Sequence, residues 1–164
     1  MATPRLRRGL LVIRPSRLPS WAIRRASTIR GAFRFGRPVR PWEIQVDLKI
    51  VGSVAVAEDG ARLGKGHGYS DLEYAILVEC GALSPDTPII TTVHDLQVLR
   101  AGQIPMTEHD VPVDIILTPT RAIRTKGAYP KPGGIDWSLV SEQMLRDMPI
   151  LAEVRARRLA GRSS

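Results

Sequence analysis

The middle of the chain alternates short apolar runs with connections rich in glycine, proline and acidic residues. Residues 46–57 (V-D-L-K-I-V-G-S-V-A-V-A) are β-branched and nearly uncharged, which predicts a strand buried on both faces. An Asp59-Gly60 turn signal and a glycine-rich stretch follow, and an apolar run over 72–80 then predicts a helix ending near Gly81. Residues 82–87, with Pro85 and Asp86, read as a turn. Residues 88–93 (P-I-I-T-T-V) predict a second strand ending on His94-Asp95, and residues 113–117 a third after an acidic connection over 105–112. Residues 118–136, carrying Pro119, Pro130, Pro132 and Gly133-Gly134, read as loop. Ser141 is placed to cap a helix over 142–148, and a basic helix over 150–159 follows Pro149. Strands alternating with helices predict an α/β sheet with a parallel component. Ligands of such sheets bind at the carboxyl ends of the strands, where His94, Asp95 and Thr118 stand.

The 164 residues suffice for one ordinary hydrophobic core, and no apolar run approaches membrane-spanning length. Net charge is +8, but its distribution matters more than its total. Eleven arginines (Arg5, Arg7, Arg8, Arg14, Arg17, Arg24, Arg25, Arg30, Arg34, Arg37 and Arg40) precede Glu43, the first acidic residue. An Arg-rich, acid-poor start reads either as a mitochondrial transit peptide or as a basic RNA-binding arm. Pro4, Pro15 and Pro19 interrupt any helical amphipathicity, which argues against the transit peptide. The chain thus divides into an Arg-rich segment, residues 1–45, and an α/β core, residues 46–164. Cys80, the single cysteine, excludes an internal disulfide framework and fits a reducing, cytoplasmic setting, with the thiol expected as a small core residue. Trp21, Trp42 and Trp137 are expected at core edges.

The chemistry concentrates in residues 60–74, G-A-R-L-G-K-G-H-G-Y-S-D-L-E-Y. Gly64, Gly66 and Gly68 let backbone N–H groups approach an anion, Lys65 adds positive charge, and the following helix aims its unpaired N–H groups at the same place. The spacing matches neither the Walker loop, since Gly66 follows Lys65, nor the Rossmann G-x-G-x-x-G turn. On glycine spacing alone, a tight structural loop and a phosphate site stand level. Asp71 reads as a helix cap or as a carboxylate holding Mg²⁺ against phosphates. Tyr69 packs the loop or stacks on a ring. His67 and His109 have the chemistry for proton transfer, but nothing here assigns either a catalytic role.

Residues 62–71, R-L-G-K-G-H-G-Y-S-D, resemble the nucleotide loop of the 5-formyltetrahydrofolate cyclo-ligase family, whose pattern is roughly R-L-G-x-G-x-G-Y-Y-D. Gln97-Val98, Ile104-Pro105, Glu108-His109-Asp110, Val113-Asp114 and Leu117-Thr118 resemble its closing motifs in order. G-K-G-H-G-Y-S-D-L-E-Y, V-H-D-L-Q-V, I-L-T-P-T-R and Lys131-Pro132 are similar to a divergent branch, the methenyltetrahydrofolate synthetase domain-containing proteins. The resemblance spans residues 2–155 in scattered blocks. It implies an α/β, three-layer-like sandwich with a largely parallel sheet, of the NagB/RpiA/CoA-transferase kind. It also implies ATP-dependent conversion of 5-formyltetrahydrofolate to 5,10-methenyltetrahydrofolate. ATP would lie against Arg62, Gly64, Lys65, Gly66, His67, Gly68 and Tyr69, with Mg²⁺ held by Asp71 and Asp114; Asp114 reads equally as a carboxylate paired with arginine or capped by backbone.

Departures from the pattern qualify the activity. Ser70 replaces the second loop tyrosine, and Leu72 stands where a basic residue commonly follows the loop aspartate. Residues 2–7 (A-T-P-R-L-R) resemble a segment that follows the family's first core strand. A reading frame that begins upstream of Met1 is therefore expected, supplying a helix, a strand and phosphate-contacting basic residues, without which the chain would be inactive. The alternative is a non-catalytic nucleotide- or RNA-binding relative that uses the Arg-rich segment, although RNA-recognition aromatic motifs are missing from the sequence.

Overall fold

The structure, a computed structural model, describes residues 1–161. The Arg5 side chain and residues 162–164, which belong to the expected basic segment and core, lie outside the described residues. In chain order the elements are β1 (Leu10–Val12), α1 (Ser20–Ala26), α2 (Ile29–Phe35), β2 (Arg37–Val39), β3 (Lys49–Val51), β4 (Ala55–Ala57) and β5 (Arg62–Leu63). Then come α3 (Tyr69–Glu79), β6 (Ile89–Thr92), β7 (Val98–Leu99), β8 (Ile115–Leu117), β9 (Ala122–Arg124), α4 (Glu142–Asp147) and α5 (Pro149–Gly161). The chain is mixed α/β, as the alternation of runs predicts, and forms two compact units. One is Gln45–Asp136. The other joins Met1–Ile44 to the chain from Trp137 onward.

In the unit Gln45–Asp136, a four-stranded sheet runs in the order β3-β6-β8-β9. β3, β6 and β8 are parallel, and β9 closes the edge antiparallel to β8 with Ile116 opposite Ile123. A smaller sheet, β5-β4-β7, pairs β4 parallel to β7 and antiparallel to β5. Ile89, Ile116, Val56 and Tyr74 are fully buried, and α3 places Tyr74, Ala75, Ile76 and Leu77 inside. Consecutive buried positions mark a helix covered on more than one side.

Two expectations are corrected in this unit. Residues 46–57 do not form one strand: the chain breaks over 52–54 and contributes β3 to one sheet and β4 to the other. Side chains serve the backbone at that break. Arg62 donates to Gly52 O at 3.3 Å, and Gln97 Nε2 donates to Ser53 O at 3.3 Å and Val54 O at 2.9 Å. The buried hydroxyl of Thr91 donates to Val51 O at 2.9 Å and lies 2.7 Å from Ser53 Oγ. With its polar groups met by side chains, the chain can leave one ladder and enter another without leaving them unpaired. β9 is the second correction, since it lies within 118–136, expected as loop. Its pattern, Ala122 and Arg124 exposed around Ile123, is that of a half-covered edge. Cys80 is half-buried at the end of α3 and not in the core.

In the other unit, β1 and β2 pair antiparallel, with Leu11 opposite Pro38, and α1 and α2 lie between them in sequence. Thr28 caps α2, its Oγ1 accepting from Gly31 N at 3.0 Å. Ser141 caps α4 as its position predicts, accepting from Met144 N at 3.2 Å. Ile150, Leu151 and Val154 bury the inner side of α5, and Met148, at the end of α4, is buried beside them in sequence. Trp21, expected at a core edge, is 58% exposed. Among the described residues no helix is long and apolar enough to cross a membrane.

Gly31 sits where α2 passes closest to α1. A Cβ there would lie 1.8 Å from Arg25 O. Replacing it with alanine is expected to force the two helices apart and destabilise the protein by at least about 1–3 kcal/mol. A fall in the denaturant midpoint of Gly31→Ala checks this, and an unchanged midpoint would refute the close approach.

Candidate functional site

The glycine stretch is the connection from β5 into α3. Asp59 sets the preceding turn: Oδ1 accepts from Ala61 N at 3.1 Å, and Oδ2 from Gly102 N at 2.7 Å and Tyr129 Oη at 3.2 Å. Partial burial by itself would raise the Asp59 pKa, but these bonds hold it below the ordinary aspartate value of 3.8. After β5 the loop passes through Gly66 (φ +79°) and Gly68 (φ +64°), both left-handed and both facing open space where a Cβ would project. Glycine is thus required by backbone conformation, and the space beside the backbone stays clear. Gly68 is the N-cap of α3, and no side chain caps the helix. The first-turn N–H groups and the positive end of the helix dipole are presented at the loop. Lys65 and His67 are exposed, and the His67 ring stacks on Tyr69 with centroids 6.0 Å apart and planes 15° apart.

Arg62 has a different role from its loop neighbours. It is 6% exposed, with its guanidinium turned inward. Nη2 pairs with Asp71 Oδ1, Nε donates to Val111 O at 3.3 Å and Nη1 to Gly52 O at 3.3 Å. Asp71 Oδ1 also accepts from Val111 N at 3.1 Å. Arg62 and Asp71 therefore lock the first turn of α3 to the carboxyl end of β3 and to the segment before β8. Gly64 lies over this clamp, where a Cβ would be 3.1 Å from Arg62 Nη1.

Asp114 lies elsewhere. It immediately precedes β8, and its Oδ2 accepts from Ile89 N, the first residue of β6, at 2.7 Å and from Lys131 Nζ at 2.8 Å. Lys131 also donates to Thr87 O at 3.0 Å and Pro85 O at 3.2 Å. These groups stand at the amino ends of the parallel strands, whereas Asp71 pairs with Arg62, which reaches Gly52 just past the carboxyl end of β3. The pair expected to share Mg²⁺ is thus divided between opposite ends of the sheet, each carboxylate already holding a protein cation. Among the described residues no group of three or more His, Cys, Asp or Glu could hold a metal. The donor set does not fit a two-carboxylate magnesium shell.

Other polar groups sort by position. At the carboxyl end of β6, Asp95 Oδ1 accepts from Thr118 and Thr120, each at 2.7 Å, with Arg121 at 3.8 Å. The hydroxyl of Thr120, then that of Thr118, holds the Asp95 carboxyl below the ordinary range. His94 is used locally, its Nδ1 accepting from Leu96 N at 3.2 Å. His109 is exposed, beside Glu108 at 3.4 Å and Asp136 at 3.8 Å. Fully buried Tyr74 has its pKa raised by burial, with the Asp114 charge adding to it. The inward turn of Arg62 is not expected from the sequence, and the cation that meets Asp114 is Lys131, not an arginine, alongside the backbone N–H of Ile89. No local signal marks the inward arginine: Arg62-Leu63 reads as leucine in and arginine out, and the structure inverts it, with Leu63 48% and Arg62 6% exposed.

Comparison with known proteins adds a second line. The model of the 5-formyltetrahydrofolate cyclo-ligase family matches residues 12–119. The methenyltetrahydrofolate synthase domain-containing protein of Bos taurus is 47% identical over 156 residues, covering 93% of this chain and 41% of the relative. The protein of the same name from Homo sapiens is 46% identical over 158 residues, covering 94% and 41%. A 5-formyltetrahydrofolate cyclo-ligase from Mycolicibacterium smegmatis is 32% identical over 111 residues, covering 63% and 52%. The chain thus spans about two fifths of the length of the synthase-domain relatives it matches.

Two outcomes follow from the site's geometry. Arg62→Ala leaves the partly buried Asp71 without its cation and is expected to cost about 1.5–3 kcal/mol of stability. Lys65→Ala, on the exposed loop, stays within about 0.5 kcal/mol. Equal denaturant midpoints for the two variants would overturn the assignment. Because the Asp59 pKa is lower in the folded chain, its stabilisation is complete above the unfolded pKa of about 3.8 and disappears as pH falls through the folded value. Thermal midpoints measured from about pH 5 downward should therefore decline less steeply for Asp59→Asn than for the parent.

Proposed function

Since the chain belongs to the 5-formyltetrahydrofolate cyclo-ligase family, we propose that its glycine loop binds the phosphates of ATP and serves the closure of 5-formyltetrahydrofolate to 5,10-methenyltetrahydrofolate. The observation that carries this reading is the uncapped first turn of α3 behind two left-handed, unobstructed glycines, fixed in place by the Arg62–Asp71 clamp. Backbone N–H groups of residues 66–70 supply donors for phosphate oxygens, and Lys65 supplies a mobile cation. Arg62 positions the loop and does not touch the nucleotide. Asp71 holds Arg62 in register.

When bound, ATP supplies the phosphoryl group that activates the formyl oxygen. The protein's share in such chemistry is positioning and charge neutralisation. Magnesium enters this reading with the nucleotide, through phosphate oxygens and water, and not through Asp71 and Asp114. The His67–Tyr69 stack flanks the cradle and offers a flat face to a heteroaromatic ring. A cytoplasmic setting, where the folate and ATP are at hand, fits a chain with the single cysteine Cys80.

Calorimetric titration with ATP and the absorbance of the methenyl product test the proposal together. Removing a charge-assisted contact costs about 1.5–3 kcal/mol, so Lys65→Ala is expected to weaken ATP binding roughly 10- to 150-fold. Gly66→Val, forced into a left-handed conformation, is expected to lose binding at least as severely. Unchanged affinity in both variants would sink the nucleotide-loop reading. ATP binding without ATP-dependent methenyl formation would instead identify a nucleotide-binding relative that lacks the reaction.

A further inference from the structure

Beyond the carboxyl end of β6 the chain reaches His94, the cap of one tight helical turn over Asp95–Gln97. Several groups at this turn are left unused by the fold. Asp95 Oδ1 takes every hydrogen bond and ion pair made to that carboxylate, from Thr118, Thr120 and Arg121. Asp95 Oδ2 takes none among the described residues. His94 Nδ1 accepts from Leu96 N at 3.2 Å, so the proton of the neutral imidazole sits on Nε2. That N–H meets no acceptor among the described residues. Leu96 is 86% exposed, the most of any large apolar side chain among them.

One exposed leucine is ordinary. This one sits on a turn braced from several sides. Gln97 Oε1 accepts from His94 N at 2.8 Å, and Gln97 Nε2 donates to Ser53 O and Val54 O. The hydroxyls that hold Asp95 come from the turn between β8 and β9. Side chains fixed in this way, with their outer atoms still open, are what a binding constellation requires. The turn also adjoins the glycine loop. Residues 52–54 are gripped at one end by Arg62, through Gly52 O, and at the other by Gln97. Three residues span at most about 10 Å, so the braced turn and the glycine loop are neighbours at the ligand-binding end of the sheet.

An anionic acceptor beside a neutral donor and an apolar side chain selects its ligand. A phosphate or carboxylate would be repelled by Asp95, and an ammonium would have no use for the His94 N–H. A flat 2-amino-4-oxo heterocycle uses all three groups. Its amino group and ring N–H donate to the two lone pairs of Asp95 Oδ2, and its oxo group accepts from His94 Nε2. Pterin and guanine share this edge. Resting on the cyclo-ligase reading, we propose that His94 and Asp95 bind the 2-amino-4-oxo edge of the folate's tetrahydropterin, with Leu96 against the ring. These residues determine specificity and leave phosphoryl chemistry to the glycine loop. The site is separate from the His67–Tyr69 stack.

The test is calorimetric titration of the full chain with 5-formyltetrahydrofolate, with its 2-desamino-2-methyl analogue, and with guanosine, which carries the same edge on a different ring. The parent protein is expected to bind the analogue roughly 10- to 150-fold more weakly than the folate, the factor for one hydrogen bond to a charged group. Asp95→Asn keeps an acceptor for Thr118 and Thr120 but presents an NH₂ in place of Oδ2. It is expected to weaken folate binding by a similar factor, to erase discrimination against the analogue, and to leave ATP affinity unchanged. His94→Ala is expected to weaken folate binding roughly 2- to 10-fold. Melting curves establish that each variant is folded, and the analogue comparison on the parent needs no variant at all. The proposal is overturned by a parent that binds no folate or binds folate and analogue equally. It is also overturned by a folded Asp95→Asn that still discriminates, or by guanosine bound as tightly as the folate. Failure of ATP to bind while folate binding and its discrimination persist would overturn the nucleotide-loop reading and leave this site standing.

Discussion

The Arg62 guanidinium is the joint on which the unit Gln45–Asp136 depends. One buried side chain reaches the break between β3 and β4 through Gly52, the segment leading to β8 through Val111, and the first turn of α3 through Asp71. A lysine could meet only part of this, because its ammonium is a point charge and not a planar fork. A buried ion pair of this kind contributes little net stability over an apolar replacement, yet losing one partner is costly. Its contribution is to register. The loop from Gly64 to Gly68 starts and ends on residues the clamp controls, so its backbone donors are aimed before any ligand arrives.

Two further lysine–carboxylate pairs repeat the device along the same sheet. Buried Lys49, at the start of β3, pairs with Glu73 one half-turn after Asp71, and Lys131 ties Asp114 to the turn before β6. Together they distribute the carboxylates of this unit to structural cations. Asp71, Glu73 and Asp114 each thereby face a protein cation. In the proposed nucleotide reading, charge neutralisation at the loop falls to backbone dipoles and Lys65.

The other unit follows the opposite logic. Its helix pair closes on alanines and glycine and leaves its arginines without carboxylates, so surface and not core receives the large side chains. Elsewhere in the same unit arginines do find carboxylates: Arg40 pairs with Glu153 at 2.6 Å, and Arg155 with Glu142 at 3.6 Å. The exposed cations of α1 and α2 are therefore a local feature and not a general property of an arginine-rich chain.

By itself the sequence determined the α/β class, the second and third strands, the helix after the glycine loop and the Ser141 cap, because each rests on near-neighbour periodicity or a local hydrogen bond. It also carried the family, through ordered motifs. The tertiary structure alone decided that residues 46–57 split between two sheets, since the backbone at the break is satisfied by Gln97 and Arg62 from distant positions. It alone decided that Arg62 turns inward, that Asp114 answers to Lys131 at the far end of the sheet, and that Trp21 stands on the surface. A charged or aromatic residue looks the same in sequence whether its partner is a ligand or another side chain. The choice is made by whichever group the fold brings within hydrogen-bond or stacking distance, and that distance is not written in local spacing.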